Sequence, residues 1–267
     1  MPVQALRRWL CILLLAAPSA FAQNSVFLDE LTWTELRDQI RSGTTTIIIP
    51  IGGTEQSGPH IALGKHNVRA KALSERIALA LGNALVAPVV AYVPEGSVNP
   101  PTAHMRFPGT ITVSGDTFQR GLESAARSFK LHGFRDIVLL GDHGGYQKDE
   151  KAVADRLNRE WASTPVRVHA PEEYYRATQN EYVQALKSRG YRDEEIGTHA
   201  GLADTSLMLA VDPRMVRADR LQSAARSGGD DGVRGDPRRS SAELGQPGVD
   251  AIVGRTVAAV RKAVLRP

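Results

Sequence analysis

The sequence predicts an α/β protein built on a mainly parallel sheet with helices over both faces. Three observations carry this expectation. The aliphatic runs "TTTIIIPIGG" (44–53) and "RDIVLLGDHGG" (135–145) end in glycines, as buried strands do where they deliver the chain to a loop. Helical periodicity fills the stretches between such runs. Strand and helix then alternate along the chain, which is the order that makes a parallel sheet.

The elements follow in order. After the strand at 44–53, "NVRAKALSERIALALG" reads as a helix with Val68, Leu73, Ile77 and Leu81 on one side, Arg69, Glu75 and Arg76 on the other, and Gly82 as its stop. "ALVAPVVAYV" (84–93) is a second buried strand interrupted by Pro88. From Asp116 to His132 the spacing of Phe118, Leu122, Ala126 and Phe129 predicts a helix closed by Gly133, and the strand ending in "GDHGG" follows. "KDEKAVADRLNREWA" repeats the helical pattern through Val153, Leu157 and Trp161 before a short strand, "VRVHA". Residues 227–246, rich in Gly, Asp, Arg and Ser, read as a long loop or lid ahead of a last helix through Val249, Val253, Val257 and Val264.

At the other end, Arg7 and Arg8, the apolar run 9–17 and Ala20-Phe21-Ala22 have the order of a secretory signal peptide. Cleavage after Ala22 is expected, which makes residues 1–22 a signal peptide and 23–267 a single periplasmic or secreted domain. The run is too short to span a bilayer about 30 Å thick. The one cysteine, Cys11, lies inside that segment, so the mature chain has no thiol and cysteine nucleophiles, zinc thiolates and iron–sulfur clusters are excluded. Cleavage also takes two arginines and no acid, which lowers the formal charge from +4 to +2. With no Lys/Arg stripe and no second apolar span, neither nucleic acid nor membrane is expected as a partner.

Ligands to any metal must therefore be His, Asp or Glu. The loop "GGTEQSGPHIALGKHN" (52–67) holds Glu55, His60, Lys65 and His66 among residues that are expected to leave them unburied. His143 follows the second glycine-ended strand, and His199 and Asp204 lie in "GTHAGLADTS". In parallel sheets the site gathers at the carboxyl ends of the strands, where Glu55 and His143 both fall. Imidazoles and carboxylates in that position suit a catalytic divalent ion that keeps a position open for water. His132 and His169 read instead as helix-end and strand residues.

Four segments, "IPIGGTEQSGPHIALG", "HMRFPGT", "LLGDHGG" and "HAGLADTS", resemble in that order the signature segments of the creatininase (creatinine amidohydrolase) family, over about residues 28 to 260. The resemblance implies a three-layer α/β/α sandwich, a homo-oligomer such as a hexamer, and hydrolysis of C–N bonds in small cyclic or linear amides at a centre that commonly holds two metal ions. By the same resemblance Glu55 and His143 are metal ligands, His199 moves protons during ring opening, His104 lies near the substrate, and Asp204 stands where the family has a glutamate.

Two departures matter. Ser57 replaces a family histidine ligand, and His66 replaces the aspartate that bridges both metals; an imidazole nitrogen cannot bridge two ions. One ion per chain is therefore expected, held by Glu55, His66, His143 and Asp204, with zinc first and manganese or iron as alternatives. His60 is placed beside the ligands, and Lys65 against a substrate carboxylate or carbonyl oxygen. Tyr92, Tyr146 and Trp161 are candidates for the pocket wall. The reading is an exported metal-dependent amidohydrolase acting on a small cyclic amide, lactam or imide; the alternative is a non-catalytic relative that binds a small molecule or organises an assembly.

Overall fold

The structure, a computed structural model, describes residues 25–224 and 231–264. The expected signal peptide and the start of the 227–246 loop lie outside these residues. In chain order the elements are α1 (Trp33–Arg41), β1 (Thr46–Ile51), α2 (Lys65–Leu81), β2 (Ala84–Val86), α3 (Gly115–His132), β3 (Asp136–Gly141), α4 (Gln147–Glu160) and β4 (Arg167–His169). The helices α5 (Glu173–Gln179), α6 (Glu181–Lys187), α7 (Asp193–Ile196), α8 (Leu202–Val211), α9 (Leu221–Ala224) and α10 (Ala242–Val264) complete the chain.

All four strands are parallel, in the order β2-β1-β3-β4, and β1 and β3 pair in register from Thr46 opposite Asp136 to Ile51 opposite Gly141. Side chains alternate across the sheet, so the unbroken aliphatic run of β1 feeds two cores. Ile48, Val138 and Leu140 pack with α2, α5, α8 and α10 on one face. Ile47, Ile49, Ile137 and Leu139 pack with α3 and α4 on the other. The three-layer α/β/α sandwich is therefore observed. No described helix is long and apolar enough to cross a membrane.

Local chemistry sets most boundaries. Thr32 and Glu35 form a capping box at the start of α1, Ser114 caps α3, and Gly133 ends α3 in the left-handed conformation. The second strand is shorter than expected: β2 stops at Val86, although Val90 still forms an isolated bridge to Ile51. Pro50 and Pro88, which carry no N–H, both lie where the β1–β2 ladder gives out. The last helix begins at Ala242, inside the segment expected to be loop, because its first turns pack on α8.

Candidate active site

The carboxyl ends of β1 and β3 and the amino end of α2 converge on Glu55, which is fully buried. Its Oε1 lies 2.9 Å from His66 Nε2, 3.6 Å from Lys65 Nζ and 3.7 Å from His199 Nδ1; its Oε2 lies 3.2 Å from His104 Nε2 and 3.6 Å from His143 Nε2. Against expectation, the glycine-rich loop hides its ionisable groups: Glu55, His60 and Lys65 have no exposed surface and His66 almost none. Lys65 and His66 are not loop residues but the first turn of α2, and Asp204 of α8 meets Lys65.

One half of the site is a closed network of charges. His66 Nδ1 is 2.6 Å from Asp142 Oδ2, which also accepts from Arg69 Nε at 2.7 Å, while Tyr174 donates to Asp142 Oδ1 at 3.0 Å. Asp204 accepts from Lys65 Nζ at 2.8 Å, Arg69 Nη1 at 3.0 Å and the Ala200 N–H at 3.0 Å. Burial raises the pKa of both aspartates, but the cations outweigh it and hold both below the ordinary value, Asp204 well below. Arg69, expected on the solvent side of its helix, is thus a buried ion-pair hub.

These contacts place five of the expected site residues. Both nitrogens of His66 face carboxylate oxygens, and both oxygens of Asp204 are engaged by cations, so the structure does not bring either into a group with free lone pairs for a metal. Lys65 is enclosed between Asp204 and Glu55 and has no surface to offer a substrate. His60 is held by Thr205 Oγ1, 2.9 Å from its Nε2, so it stays beside the site; Ser57 is buried with an unpartnered hydroxyl.

The other half is open. Glu55, Glu95, His104 and His143 each offer one ligand atom within 4.8 Å of all the others, the one such group among the described residues. Glu95, which the sequence reading missed, is buried, and neither of its oxygens has a hydrogen-bond partner; Glu55 Oε2 is likewise unpartnered. Burial, then the charge of Glu55, pushes the Glu95 carboxyl up to about 9. Gly53 makes room for it, since a Cβ there would sit 2.8 Å from Glu95 Oε1 and the backbone is left-handed, at φ +144. The position of Glu95, beside a proline and a glycine after the second predicted strand, was the available signal.

Burial keeps the surrounding imidazoles neutral near pH 7. The pKa is pushed down to about 4 in His143 and, with help from the Lys65 charge, to about 3 in His199. His199 Nε2 lies 3.0 Å from the Gln56 carbonyl oxygen, and Nδ1 faces Glu55 Oε1 at 3.7 Å. The Gln56 side-chain amide lies 3.0 Å from His104 Nδ1 and 3.1 Å from His199 Nε2, linking the two rings. Ala103 and Ala200, each next to one of these histidines, hold left-handed φ values of 46 and 52. For a residue with a Cβ this conformation costs about 1 kcal/mol or more, and such strain gathers at functional sites.

The segment 231–236 lines the mouth. Arg234 N donates to His199 O at 2.8 Å and Thr198 N donates to Arg234 O at 2.8 Å. Gly197, at φ +69, permits this approach; a Cβ there would lie 2.1 Å from Arg234 O. None of the expected aromatic wall residues is placed in the pocket. Tyr146 is fully buried with its hydroxyl donating to the Gly52 carbonyl, Trp161 packs in the core of the α3–α4 layer, and Tyr92 is exposed. Phe107, Tyr175 and Tyr182 line the cavities instead.

A parallel α/β sandwich with a carboxylate–imidazole cluster at its strand ends defines an enzyme-like class of protein. The profile of the creatininase family, described as creatinine amidohydrolase, matches residues 29–260, and the chain belongs to that family. It is 29% identical over 203 residues to the creatinine amidohydrolase of Pseudomonas putida, covering 74% of this chain and 76% of that one. It is 26% identical over 254 residues to the mycofactocin precursor peptide peptidase of Mycolicibacterium smegmatis, covering 85% and 89%. A solved structure named "Creatininase Mn" superposes with a TM-score of 0.74 at 26% identity, covering 91% of this chain and 100% of the other.

Proposed function

We propose that the protein is a metal-dependent hydrolase of C–N bonds that opens a small cyclic amide, lactam, imide or related ring, using one divalent ion per chain. The observation that carries this reading is the set of three buried, unpartnered carboxylate oxygens on Glu55 and Glu95 that face His104 and His143. Unpaired carboxylate oxygens cost free energy when buried, and a cation removes that cost. Two carboxylates with two neutral imidazoles are a fitting donor set for zinc, with manganese and iron as alternatives. Glu55, Glu95, His104 and His143 would hold the ion.

When bound, such an ion lowers the pKa of water toward about 7 and polarises a carbonyl. The chain's own residues supply the remainder. His199, neutral and held at Nε2 by Gln56, turns Nδ1 toward Glu55, where it would take a proton from the attacking water and return it to the leaving nitrogen. Lys65 and His66 keep Glu55 ionised against the effect of burial. Gln56 keeps the His104 and His199 rings in fixed relation.

Elemental analysis of the purified protein and two variants tests the reading. His143→Ala is expected to lose the metal, whereas His199→Ala keeps it and loses about 10²- to 10⁴-fold in kcat on any cyclic amide that is turned over. Metal loss in His199→Ala equal to that in His143→Ala would overturn the division of roles. A wild-type protein that takes up no zinc or manganese and turns over no cyclic amide would support the non-catalytic alternative.

A further inference from the structure

We propose that the substrate is an anion whose carboxylate is held between Arg106 and Arg234 at the mouth of the site. The proposal rests on the hydrolase reading for what happens to the amide, but its own observations are separate. A cavity of about 290 Å³ opens beside the imidazoles of the site, and Gln56, His104, Arg106, His143, His199 and Arg234 are among its lining residues. No acidic residue lines it. Among the described residues no carboxylate lies within ion-pair distance of either guanidinium, although the neighbouring arginines are paired, Arg238 with Asp236 and Arg239 with Glu195. Two unpaired cations at one mouth repel each other and gain from an anion placed between them.

Both arginines are tied to the reacting groups by short lengths of backbone. Arg106 ends the 3-10 turn Ala103–Arg106 that carries His104, and its Nε donates to the Ala103 carbonyl at 3.3 Å, which leaves its terminal nitrogens free. Arg234 is bridged to His199 through both backbone hydrogen-bonding groups. A carboxylate gripped here therefore sets the remainder of a small molecule against His104 and His199, with its amide toward Glu55. A planar guanidinium suits this task better than an ammonium, because its donors match the two oxygens of a carboxylate. The ligand class is a small amide or lactam that carries a carboxylate close to its ring.

Calorimetric titration of the full chain with matched probes tests this. 5-Oxoproline, succinate and glutarate are the anions; 2-pyrrolidinone, succinimide and glutarimide are the neutral partners of similar size. The anions are expected to bind at least about tenfold more tightly, in metal-free and zinc-loaded protein alike. Arg106→Gln and Arg234→Gln should each abolish most of that preference, and Arg238→Gln should leave it intact. Equal affinity for both sets, absence of binding by all three anions at millimolar concentration, or a preference that survives in the Arg106→Gln/Arg234→Gln double variant would overturn the proposal. A preference present only in zinc-loaded protein would do the same, by assigning the carboxylate to the ion. Failure of the hydrolase reading is distinguishable, because it would remove metal uptake and turnover while leaving the anion preference of the metal-free chain unchanged.

Discussion

The two halves of the site use the same residue types to opposite ends. On the α2–α8 side, His66, Arg69, Asp142, Lys65 and Asp204 form a closed set in which every charge meets an opposite one at 2.6–3.0 Å. A few ångströms away, Glu55 and Glu95 hold three carboxylate oxygens without a hydrogen-bond partner, with two imidazoles beside them. Composition does not separate these halves, but completeness of pairing does. A closed network supports the fold, while an incomplete one is a demand for a ligand.

The largest effect that would break this comparison is on stability. Arg69→Met leaves buried Asp142 and half-buried Asp204 without their shared partner and should cost about 3–5 kcal/mol, which lowers Tm by roughly 6–20 °C for a chain of this size. Thermal unfolding followed by circular dichroism reads it directly, and a Tm within about 2 °C of wild type would show that the closed half is not structural. In the open half the sign differs. Glu95→Gln should leave the Tm of the metal-free protein unchanged or raised, while zinc affinity falls by at least about 100-fold; a variant that unfolds but still binds zinc would reverse the roles of the halves.

The smallest effect sharpens the comparison through a third carboxylate. Glu150 is also buried with an unpartnered oxygen, but among the described residues it belongs to no group of metal-ligating side chains. Burial, then Asp149, raises its pKa well above the ordinary value. A carboxyl whose folded pKa is raised keeps its full stability only below the unfolded pKa of about 4.3 and loses it as pH climbs toward the folded value. Glu150→Gln should therefore match wild type near pH 4 and exceed it by about 1 kcal/mol, a few degrees in Tm, at pH 7. Added zinc should change nothing in that difference. A constant difference across the pH range would mean that Glu150 is ionised in the folded chain.

Much of this was present in the amino-acid order. The aliphatic runs of β1 and β3, the helical spacing of Phe118, Leu122 and Ala126, and the stop at Gly133 are local properties that any short window of the chain contains, and the structure keeps them. The rule that parallel strands present their site at their carboxyl ends pointed to Glu55 and His143, which the structure places just past β1 and β3. The four signature segments brought His104 and His199 to the same place. What the sequence left open was the state of each group. His66 meets Asp142 across 76 positions, Lys65 meets Asp204 across 139, and Gln56 meets Gly232 across 176. Burial and pairing at such separations depend on how layers meet, which no periodicity records. Glu95 shows the same limit from the other side: it has no motif partner nearby, and only the fold places its carboxylate against Glu55. The sequence by itself determined the sandwich and the address of the site. The tertiary structure alone decided which acids are neutralised by the chain's own cations and which are left without a partner, because a charge's role depends on its neighbours in space.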